Sequence, residues 1–460
     1  MVVGDTLLDR DVDGSVRRVA PDAPALVLDE ESTVDRAGGA GLAAVLAAAD
    51  GLEVTLVTAL AGDAGGRRLA ELITGAGVRL HAVTLPGATP EKVRLRARGQ
   101  VLLRLDRGGA DPAPPADPAG DVRALLDAAD AVLVSDYGRG LTGRPGLRDA
   151  LAATGTPLVW DPHPRGAAPV PGARLVTPNE AEARAFSGDE DGGGRIAAVT
   201  RAGQELRRRW RAGAVAVTTG ASGAVLCHAG PTPLIVPAPK VFAGDTCGAG
   251  DRFAATAAGA LAAGALPSEA VATAVAAASA YVGRRPADPA GPTAASGYVG
   301  RRPAHAAGPT GGDVHELVAR IRRAGGTIVA TGGCFDLLHA GHIATLEAAR
   351  ALGDGLVVCL NSDAGVRGLK GPDRPVVGEA DRARLLLALA CVDAVVVFDE
   401  PTPEATLSWL RPDIWVKGGD YADGGPALPE AQLVRQWGGQ TVVVPYLEGR
   451  STTKLIGERT

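Results

Sequence analysis

The sequence is poor in aromatic residues and carries little net charge. Aromatic residues are 3% of the 460 positions, and the formal net charge is −5 at pH 7. The apolar fraction of 46% leans on alanine, so we expect small side chains to fill much of the interior. Without a global basic field, nucleic acid and anionic membranes are not expected as main partners, whereas local basic sites for small anions remain open.

Cysteine and long apolar runs are also scarce. Five cysteines are scattered without C-x-x-C spacing: Cys227, Cys247, Cys334, Cys359 and Cys391. This spacing argues against a disulfide framework or a zinc cluster and favours a reducing cytoplasm. The most apolar stretch, 253–266, is short and is followed by Pro267. We therefore expect neither an export leader nor a membrane span.

The chain is longer than one hydrophobic core usually organises, and its pattern divides it into three parts. Residues 1–293 alternate short β-branched runs with Ala- and Leu-rich stretches, which is typical of an α/β fold. A 17-residue segment, 277–293, recurs as 294–310 with 14 positions identical, and its Pro, Gly and Arg content predicts a linker over 294–312. Residues 313–460 return to strand–helix alternation and predict a small doubly wound sheet.

Hydrophobic periodicity predicts elements in both halves. Predicted strands include 54–58, 131–135, 157–160, 214–218, 327–331, 356–360, 394–398, 414–417 and 440–444. Predicted helices include 41–49, 67–76, 121–128, 196–211, 314–324, 341–352, 379–389 and 403–410. In such a sheet, ligands are expected at the carboxyl ends of the strands.

One stretch departs from the α/β rhythm. Residues 92–98 alternate strictly, which would place Lys92, Arg94, Arg96 and Arg98 on one face of a strand. One interpretation is a solvated edge face that discourages strand-to-strand aggregation. The other is a lid strand whose basic face meets a phosphorylated substrate.

Residues 245–251, Asp-Thr-Cys-Gly-Ala-Gly-Asp, precede an Ala-rich helix. The glycines let backbone N–H groups converge, and the helix directs its positive end to the same place, so an anion hole for a phosphoryl group is predicted at Gly248, Ala249 and Gly250. Asp251 at its mouth is a candidate general base for a sugar hydroxyl. The alternative is a tight turn with a helix cap and no chemistry.

Other segments of the first half suit the same chemistry. Asn179 and Glu182 form an N-x-x-E segment after a predicted strand, which can position magnesium-bound water and nucleotide phosphates. Near the start of the chain, Asp5 and Asp9 lie beside the first strand, and residues 38–41 form a glycine-rich turn into a helix. Carboxylates and a glycine turn at strand ends suit polyol hydroxyls.

With these motifs, residues 1 to about 293 resemble a ribokinase-type sugar kinase of the PfkB family, and so imply a three-layer α/β domain with a small β lid. The resemblance implies that Asp251 is the base, Gly248 to Gly250 the anion hole, and Asn179 and Glu182 the ATP and magnesium side. Segments 3–5, 8–10, 104–106 and 135–137 are similar to the heptose 7-phosphate kinase branch. The implied substrate contacts are Asp5, Asp9, Gly38, Gly39, Lys92, Arg94, Arg104 and Asp136.

This chain departs from that branch at two positions. Leu42 stands where relatives usually place Asn, and His163 stands where the branch tends to have Lys. These departures motivate the first of two open alternatives, and the second is of a different functional class. The chain could act on a different phosphorylated sugar, or the first half could be a non-catalytic sugar-phosphate sensor beside an active second half.

The second half has a histidine pair in His339-Ala340-Gly341-His342, after the strand end 331–336. A spacing of three places both imidazoles on one side of the opening helical turn, where an α-phosphate would lie. The alternatives are a capping pair or a zinc site, and the zinc site lacks a third ligand nearby. Further candidate segments follow: Asn361-Ser362-Asp363, Lys370, Lys417-Gly418-Gly419-Asp420-Tyr421, and Ser451-Thr452-Thr453 at the start of a predicted last helix.

Together these segments resemble the cytidylyltransferase-like nucleotidyltransferases and imply a Rossmann-like domain over 313–460. The kinase-then-transferase order is similar to bifunctional heptose 7-phosphate kinase/heptose 1-phosphate adenylyltransferases. That resemblance implies catalysis by His339, His342 and Lys370 and a sugar-phosphate contact at Asp363. The implied ATP contacts are Thr331, Gly332, Phe335, Lys417, Gly418, Ser451 and Thr452.

We therefore expect a cytoplasmic bifunctional enzyme whose partners are ATP and sugar phosphates, with a homodimer as one possible assembly. Mg²⁺ is expected to enter with ATP, and no metal site built by the protein alone is predicted. The expected products are heptose 1,7-bisphosphate and ADP-heptose.

Overall fold

The computed structural model describes residues 1–21, 25–98, 100–108, 114–188, 194–239, 246–283, 314–419 and 429–445. The chain divides into two compact units. The first comprises Met1–Glu190, Arg201–Gly220 and Pro239–Arg284, and the second comprises Asp191–Thr200, Ala221–Ala238 and Arg285–Thr460. The predicted linker and Ser451-Thr452-Thr453 lie outside the described residues, so the domain bounds stay a prediction.

The elements up to residue 283 alternate strands and helices, as expected. The strands are β1 (Val2–Gly4), β2 (Thr6–Val19), β3 (Leu26–Gly39), β4 (Thr55–Leu60), β5 (Arg79–Thr84), β6 (Glu91–Ala97), β7 (Gln100–Arg107), β8 (Val132–Ser135), β9 (Leu158–Asp161), β10 (Leu175–Val176), β11 (Ala214–Thr218), β12 (Ala224–Cys227) and β13 (Leu234–Val236). The helices are α1 (Ala40–Ala49), α2 (Ala64–Gly75), α3 (Ala119–Asp127), α4 (Pro145–Ala153), α5 (Glu180–Ser187), α6 (Arg195–Trp210), α7 (Ala249–Ala262) and α8 (Pro267–Gly283).

The elements from residue 314 onwards follow the same alternation. The helices are α9 (Val314–Arg323), α10 (Ala340–Arg350), α11 (Asp363–Lys370), α12 (Glu379–Leu387), α13 (Glu404–Leu410) and α14 (Pro429–Arg435). The strands are β14 (Ile328–Gly333), β15 (Gly355–Asn361), β16 (Ala394–Phe398), β17 (Ile414–Gly418) and β18 (Gln440–Val444). The strands and helices whose ranges were predicted above are present, with ends shifted by a few residues. The predicted last helix at Ser451 lies outside the described residues.

The first unit is built on a parallel sheet in the order β11-β10-β9-β8-β1-β4-β5. Its inner strands are continuous apolar runs, such as Val132 to Val134, because helices cover both faces of a parallel sheet. Asp5, Asp136 and Asp161 lie at the carboxyl ends of β1, β8 and β9, so one edge of the sheet collects carboxylates.

A second sheet in the order β3-β2-β6-β7 forms the lid. The basic strand β6 lies inside it and pairs in parallel with β2, with Lys92, Arg94 and Arg96 opposite Asp9, Asp11 and Asp13. The interpretation of this strand as a solvated edge is therefore wrong. Arg98 also leaves the basic face, because β6 ends at Ala97 and Arg98 has a φ of 50°.

The second unit contains a parallel sheet in the order β16-β15-β14-β17-β18. β14, β15 and β17 are almost wholly buried apolar runs in their amino-terminal parts, and polar residues appear where the strands end. Across the described ranges, we find no helix with the length and apolarity that a membrane crossing needs.

Close packing at Gly4 generates a test of how the strand ends are placed. A Cβ atom on Gly4 would lie 1.9 Å from the carbonyl oxygen of Ser135 and 3.1 Å from Cβ of Ala40. Because backbone cannot yield as a flexible side chain does, Gly4→Ala is expected to cost about 3 kcal/mol of folding free energy and to displace Asp5. Thermal unfolding and kinase assays measure both effects.

Gly75→Ala is the matched control, since a Cβ there meets no atom within 4 Å. This change in α2 is expected to be neutral or to stabilise by up to about 1 kcal/mol. Equal unfolding midpoints for Gly4→Ala and the wild type would contradict the packing argument.

Candidate functional sites

The predicted anion hole lies at the start of α7. Gly248 caps the helix with a φ of 83°, and a Cβ there would lie 2.7 Å from Cδ2 of Leu42 and 2.9 Å from the hydroxyl of Tyr281. Glycine is therefore required at this position by conformation and by space. The first N–H groups of a helix have no partner within it, and exposed Gly250 supplies one of them. The N–H of Ala249 instead donates to the carbonyl of Thr246 at 3.1 Å.

Asp251 follows in the same helical turn and is buried, with 6% of its surface exposed. The hydroxyl of Tyr137 donates to its Oδ1 and Oδ2 at 2.8 and 2.9 Å. Burial raises the pKa of Asp251 to about 7, against the lowering effects of the Tyr137 hydrogen bond and of Lys92. A carboxylate that titrates near neutral pH suits a general base.

Asp5 and Asp136 hold the loop that carries Tyr137. Asp5 accepts the backbone N–H groups of Tyr137, Arg139 and Leu141 at 3.2, 2.8 and 3.2 Å. Asp136 accepts the N–H groups of Gly138 and Ala167 and the hydroxyl of Thr142 at 2.7, 3.1 and 2.7 Å. Burial raises the pKa of both carboxyls, that of Asp5 to about 6. Sequence reasoning assigned both residues to substrate, whereas here their carboxylates bind the loop.

Asp9 and Arg94 meet between the lid strands β2 and β6. The Arg94 guanidinium lies 3.3 Å from Oδ1 of Asp9 and 3.3 Å from Oδ1 of Asp11, and it donates to Sγ of Cys247 at 3.1 Å. Asp9 also lies against the glycine turn, because a Cβ on Gly38 would be 2.4 Å from its Oδ2. Gly39 follows with a φ of 62° and leads into α1. The structure thus brings Asp9, Gly38, Gly39 and Arg94 together.

A cationic cavity of about 250 Å³ opens beside Tyr137. Its polar lining comprises Glu91, Lys92, Arg104, Asp106, Tyr137, Arg139, His163 and Arg165. Arg104 is held by Asp106 through two contacts of 2.7 Å, and the His163 ring stacks on Tyr137 with centroids 6.4 Å apart. Sequence reasoning found Lys92 and Arg104 but missed Arg139 and Arg165, since single cations in loops carry no motif.

Asn179 and Glu182 form a capping box at the start of α5. The Asn179 side chain accepts the N–H of Glu182 at 2.9 Å, and Glu182 accepts the N–H of Asn179 at 2.8 Å. Burial raises the pKa of Glu182. Asp161, which the sequence did not single out, has its pKa raised well above the ordinary value by burial and then by Asp251 and Glu182. These carboxylates therefore share one edge of the sheet.

In the second unit, His339 and His342 stack at the start of α10. Their ring centroids lie 3.8 Å apart with an interplanar angle of 27°, and Phe335 lies 5.2 Å from His342. Burial, with His339 and Lys370 as further causes, lowers the pKa of His342 to about 4. His342 is therefore neutral near pH 7 and suited to donate a hydrogen bond to phosphate. The predicted meeting of the two rings is present.

Thr331 and Gly332 lie in β14, and Phe335 follows in the turn after it and contacts His342. The Thr331 hydroxyl donates to the carbonyl of Val416 at 2.8 Å, so it links β14 to β17. A Cβ on Gly332 would lie 2.7 Å from the ring of Trp415. Phe335 is buried and adopts a φ of 44° at the turn that leads to the histidines.

A fully buried arginine, Arg382, organises the strand ends and was missed by sequence reasoning. It donates to the carbonyls of Cys334, Asn361 and Val377 at 2.6, 2.9 and 2.9 Å, and to Oδ1 of Asp363 at 2.7 Å. Asp363, predicted to contact substrate, is therefore bound to Arg382. A single arginine in an otherwise ordinary helical pattern gives no signal of this role.

The remaining candidates of this half are two lysines, a glycine and two hydroxyl residues. Lys370 is exposed at the end of α11, and the Lys417 ammonium lies 3.0 Å from Glu430 and 5.1 Å from the Trp415 ring centroid. A Cβ on Gly418 would lie 3.0 Å from the Thr345 side chain. Ser451 and Thr452 lie outside the described residues.

Comparison with known proteins agrees with this division of sites. The pfkB family carbohydrate kinase model matches residues 1–294, and the cytidylyltransferase-like model matches residues 330–455. Bifunctional protein HldE of Streptomyces coelicolor is 56% identical over 461 residues, which cover 99% of this chain and 95% of that protein. This chain belongs to the bifunctional HldE family. The HldE protein of Methylococcus capsulatus is 38% identical, over 99% of this chain and 96% of that protein.

Solved structures agree with the fold of the first unit. Phosphofructokinase-2 from Escherichia coli, in complex with potassium, matches with a TM-score of 0.50 and 20% identity, over 62% of this chain and 93% of that chain. At this identity the likeness concerns the ribokinase-like α/β fold alone. As a member of the HldE family, the chain is an enzyme with a sugar kinase domain and a nucleotidyltransferase domain, and it uses ATP.

Because the two sites are separate, each of two substitutions is expected to remove one activity and leave the other. Asp251→Asn removes the base and is expected to lower kinase turnover by about 10²- to 10⁴-fold, with nucleotidyl transfer unchanged. His342→Ala is expected to lower nucleotidyl transfer alone, because only that site loses a phosphate contact. Assays of both activities on each variant decide, since each activity is the folding control for the other. Loss of both activities in either variant would contradict separate sites.

Arg382 predicts a loss of stability in the second unit. Arg382→Met leaves three carbonyls and a carboxylate without their donor, so a cost of about 3–5 kcal/mol is expected. Arg384→Met is the matched control on an exposed position of the same helix. Urea unfolding of the full chain and nucleotidyl transfer are measured for both variants. Similar midpoints would mean that the buried guanidinium does not hold the strand ends.

Proposed function

We propose that the chain uses ATP in two steps on heptose phosphates. The kinase half phosphorylates D-glycero-D-manno-heptose 7-phosphate at O1. The nucleotidyltransferase half transfers AMP from ATP to heptose 1-phosphate and yields ADP-heptose and pyrophosphate. Membership in the HldE family and the motifs of both sites support this assignment.

One observation in the kinase half carries the choice of a phosphorylated sugar. The cationic cavity and the Asp251 carboxylate share Tyr137, which lines the cavity and donates to the carboxylate. A substrate with a phosphate at one end and a reactive hydroxyl at the other therefore meets cations and base together. Four cations line this cavity against the two carboxylates of Glu91 and Asp106, and the excess of two positive charges suits a phosphate dianion. The cations are Lys92, Arg104, Arg139 and Arg165.

In the kinase step, Asp251 accepts the proton of the O1 hydroxyl while O1 attacks the γ-phosphorus of ATP. The new bond is O1–P, the broken bond joins the γ-phosphorus to the bridging oxygen, and ADP leaves with the electron pair. The Gly250 N–H and the positive end of the α7 dipole stabilise the charge on the transferring phosphoryl oxygens.

In the transferase step, an oxygen of the sugar 1-phosphate attacks the α-phosphorus of ATP in line with pyrophosphate, which leaves. His339, His342 and Lys370 stabilise the charge that builds on the five-coordinate phosphorus. No covalent enzyme intermediate is needed. Since the kinase product carries two phosphates, a separate phosphatase must remove the phosphate at C7 before this step, and direct channelling is not expected.

Magnesium is the divalent cation that we propose for ATP. It prefers oxygen ligands, and the carboxylates of Asp161 and Glu182 are donors of that kind; they are close enough that Glu182 contributes to the raised pKa of Asp161. When bound, the cation would neutralise charge on the ATP phosphates. We also propose a cytoplasmic location, which the free cysteines among the described residues support. A homodimer stays a prediction.

Leu42 and His163 motivate the alternative of another phosphorylated sugar. Leu42 lies against Gly248 of the anion hole, and His163 lines the cationic cavity, so both departures lie where they could alter sugar selection. A non-catalytic sensor is disfavoured because the base and its hydrogen bonds are intact.

A substrate panel with ATP and magnesium tests the assignment by phosphorus NMR. Heptose 7-phosphate is expected to give a second sugar phosphate signal at C1, with hexose 6-phosphates and unphosphorylated heptose turned over far more slowly. Absence of the bisphosphate with heptose 7-phosphate would refute the kinase assignment. Turnover of a hexose phosphate instead would select the alternative sugar, and turnover of none would select the sensor.

A further inference from the structure

The hydroxyl of Tyr137 contacts both carboxylate oxygens of Asp251. The phenol donates one proton, and its oxygen lies 2.8 and 2.9 Å from the two carboxylate oxygens. This shared contact fixes the orientation of the carboxylate relative to the phenol. Because each carboxylate oxygen has further lone pairs, Asp251 can still accept a hydrogen bond from a substrate hydroxyl.

The Tyr137 ring is held in place independently of Asp251. The backbone N–H of Tyr137 donates to the Asp5 carboxylate, and the N–H of the neighbouring Gly138 donates to the Asp136 carboxylate. The ring stacks on His163, and Gly39 lets it approach, since a Cβ there would lie 3.3 Å from Cδ2 of the tyrosine. The hydroxyl is therefore presented from a rigid loop rather than from a mobile side chain.

We propose that Tyr137 is a positioning residue of the kinase, whose hydroxyl orients the Asp251 carboxylate for proton abstraction from the sugar. The inference rests on the proposed role of Asp251 as the base. It also gives Asp5 and Asp136 a role, which is to anchor the loop that carries the tyrosine.

The groups around Asp251 determine the direction in which its pKa changes when the Tyr137 hydroxyl is removed. Asp251 faces Asp9 of β2, Lys92 of β6, Asp161 of β9 and the Tyr137 hydroxyl. The hydrogen bond from Tyr137 stabilises the charged form and so lowers the pKa of Asp251, against burial and Asp9, which raise it. Removal of the hydroxyl should raise that pKa and move the acid limb of the kinase profile to higher pH.

The test compares the wild type, Tyr137→Phe and a protein with 3-fluorotyrosine at position 137. Tyr137→Phe is expected to lower kinase kcat about 10- to 100-fold and to raise the acid limb of kcat/KM by about one pH unit. The 3-fluorotyrosine protein keeps the donor and should keep most of the turnover. Thr74→Ala, which removes an exposed hydroxyl from α2, should change neither quantity.

Two measurements distinguish failure of this inference from failure of the proposed substrate assignment. The profiles are measured with whichever sugar phosphate the wild type turns over fastest, and the Asp251 carboxyl is titrated without substrate by ¹³C NMR, with Asp251→Asn for assignment. An unchanged acid limb and a loss of kcat below twofold in Tyr137→Phe would overturn the inference. So would an equal loss in the 3-fluorotyrosine protein, since ring shape rather than the hydroxyl would then matter. Should Tyr137→Phe fail to fold, as judged by its nucleotidyl transfer and thermal unfolding, the 3-fluorotyrosine protein still decides. Its more acidic phenol is a stronger donor and should lower the pKa of Asp251, and an unchanged pKa in the titration would overturn the inference.

Discussion

Hydrogen bonds from backbone N–H groups to buried carboxylates determine the geometry of the kinase site. Asp5 and Asp136 lie at the ends of two adjacent strands and together accept five backbone N–H groups and one hydroxyl. A buried carboxylate is costly unless it is hydrogen-bonded, and a buried N–H is costly without an acceptor. The loop after β8 therefore has one favourable path, and that path presents Tyr137 to Asp251.

In the nucleotidyltransferase half, buried backbone groups at the strand ends also need a charged partner, and there the partner is a cation. There a buried guanidinium, Arg382, gathers the carbonyls of two strand ends and the Asp363 carboxylate. The turn before the histidines is fixed by Asp336, which accepts the N–H groups of Val376 and Val377 and pairs with Arg374. In both halves, irregular backbone at the strand ends is rigid because a buried ion satisfies it.

The regular elements and the glycine motifs could be predicted from the sequence, because both are local patterns. β2 and β3 could not, since their Asp- and Arg-rich stretches do not alternate apolar with polar residues. The partners of the site residues were also out of reach. Tyr137 and Asp251 are 114 positions apart, and Arg94 and Cys247 are 153 apart, so no local spacing relates them. For this reason the internal partners of Asp5, Asp136 and Asp363 could not be foreseen, and their assignment to substrate stays a prediction.

The pairing of β6 cations with β2 aspartates affects the rate at which anionic ligands reach the site. Each of the three cations of β6 stands opposite an aspartate of β2, so the lid presents almost no net field beyond a Debye length of about 8 Å. Long-range electrostatic steering of anionic metabolites by this surface is thus weak. The lid distinguishes ligands after they arrive rather than drawing them in, and encounter rates should depend little on ionic strength.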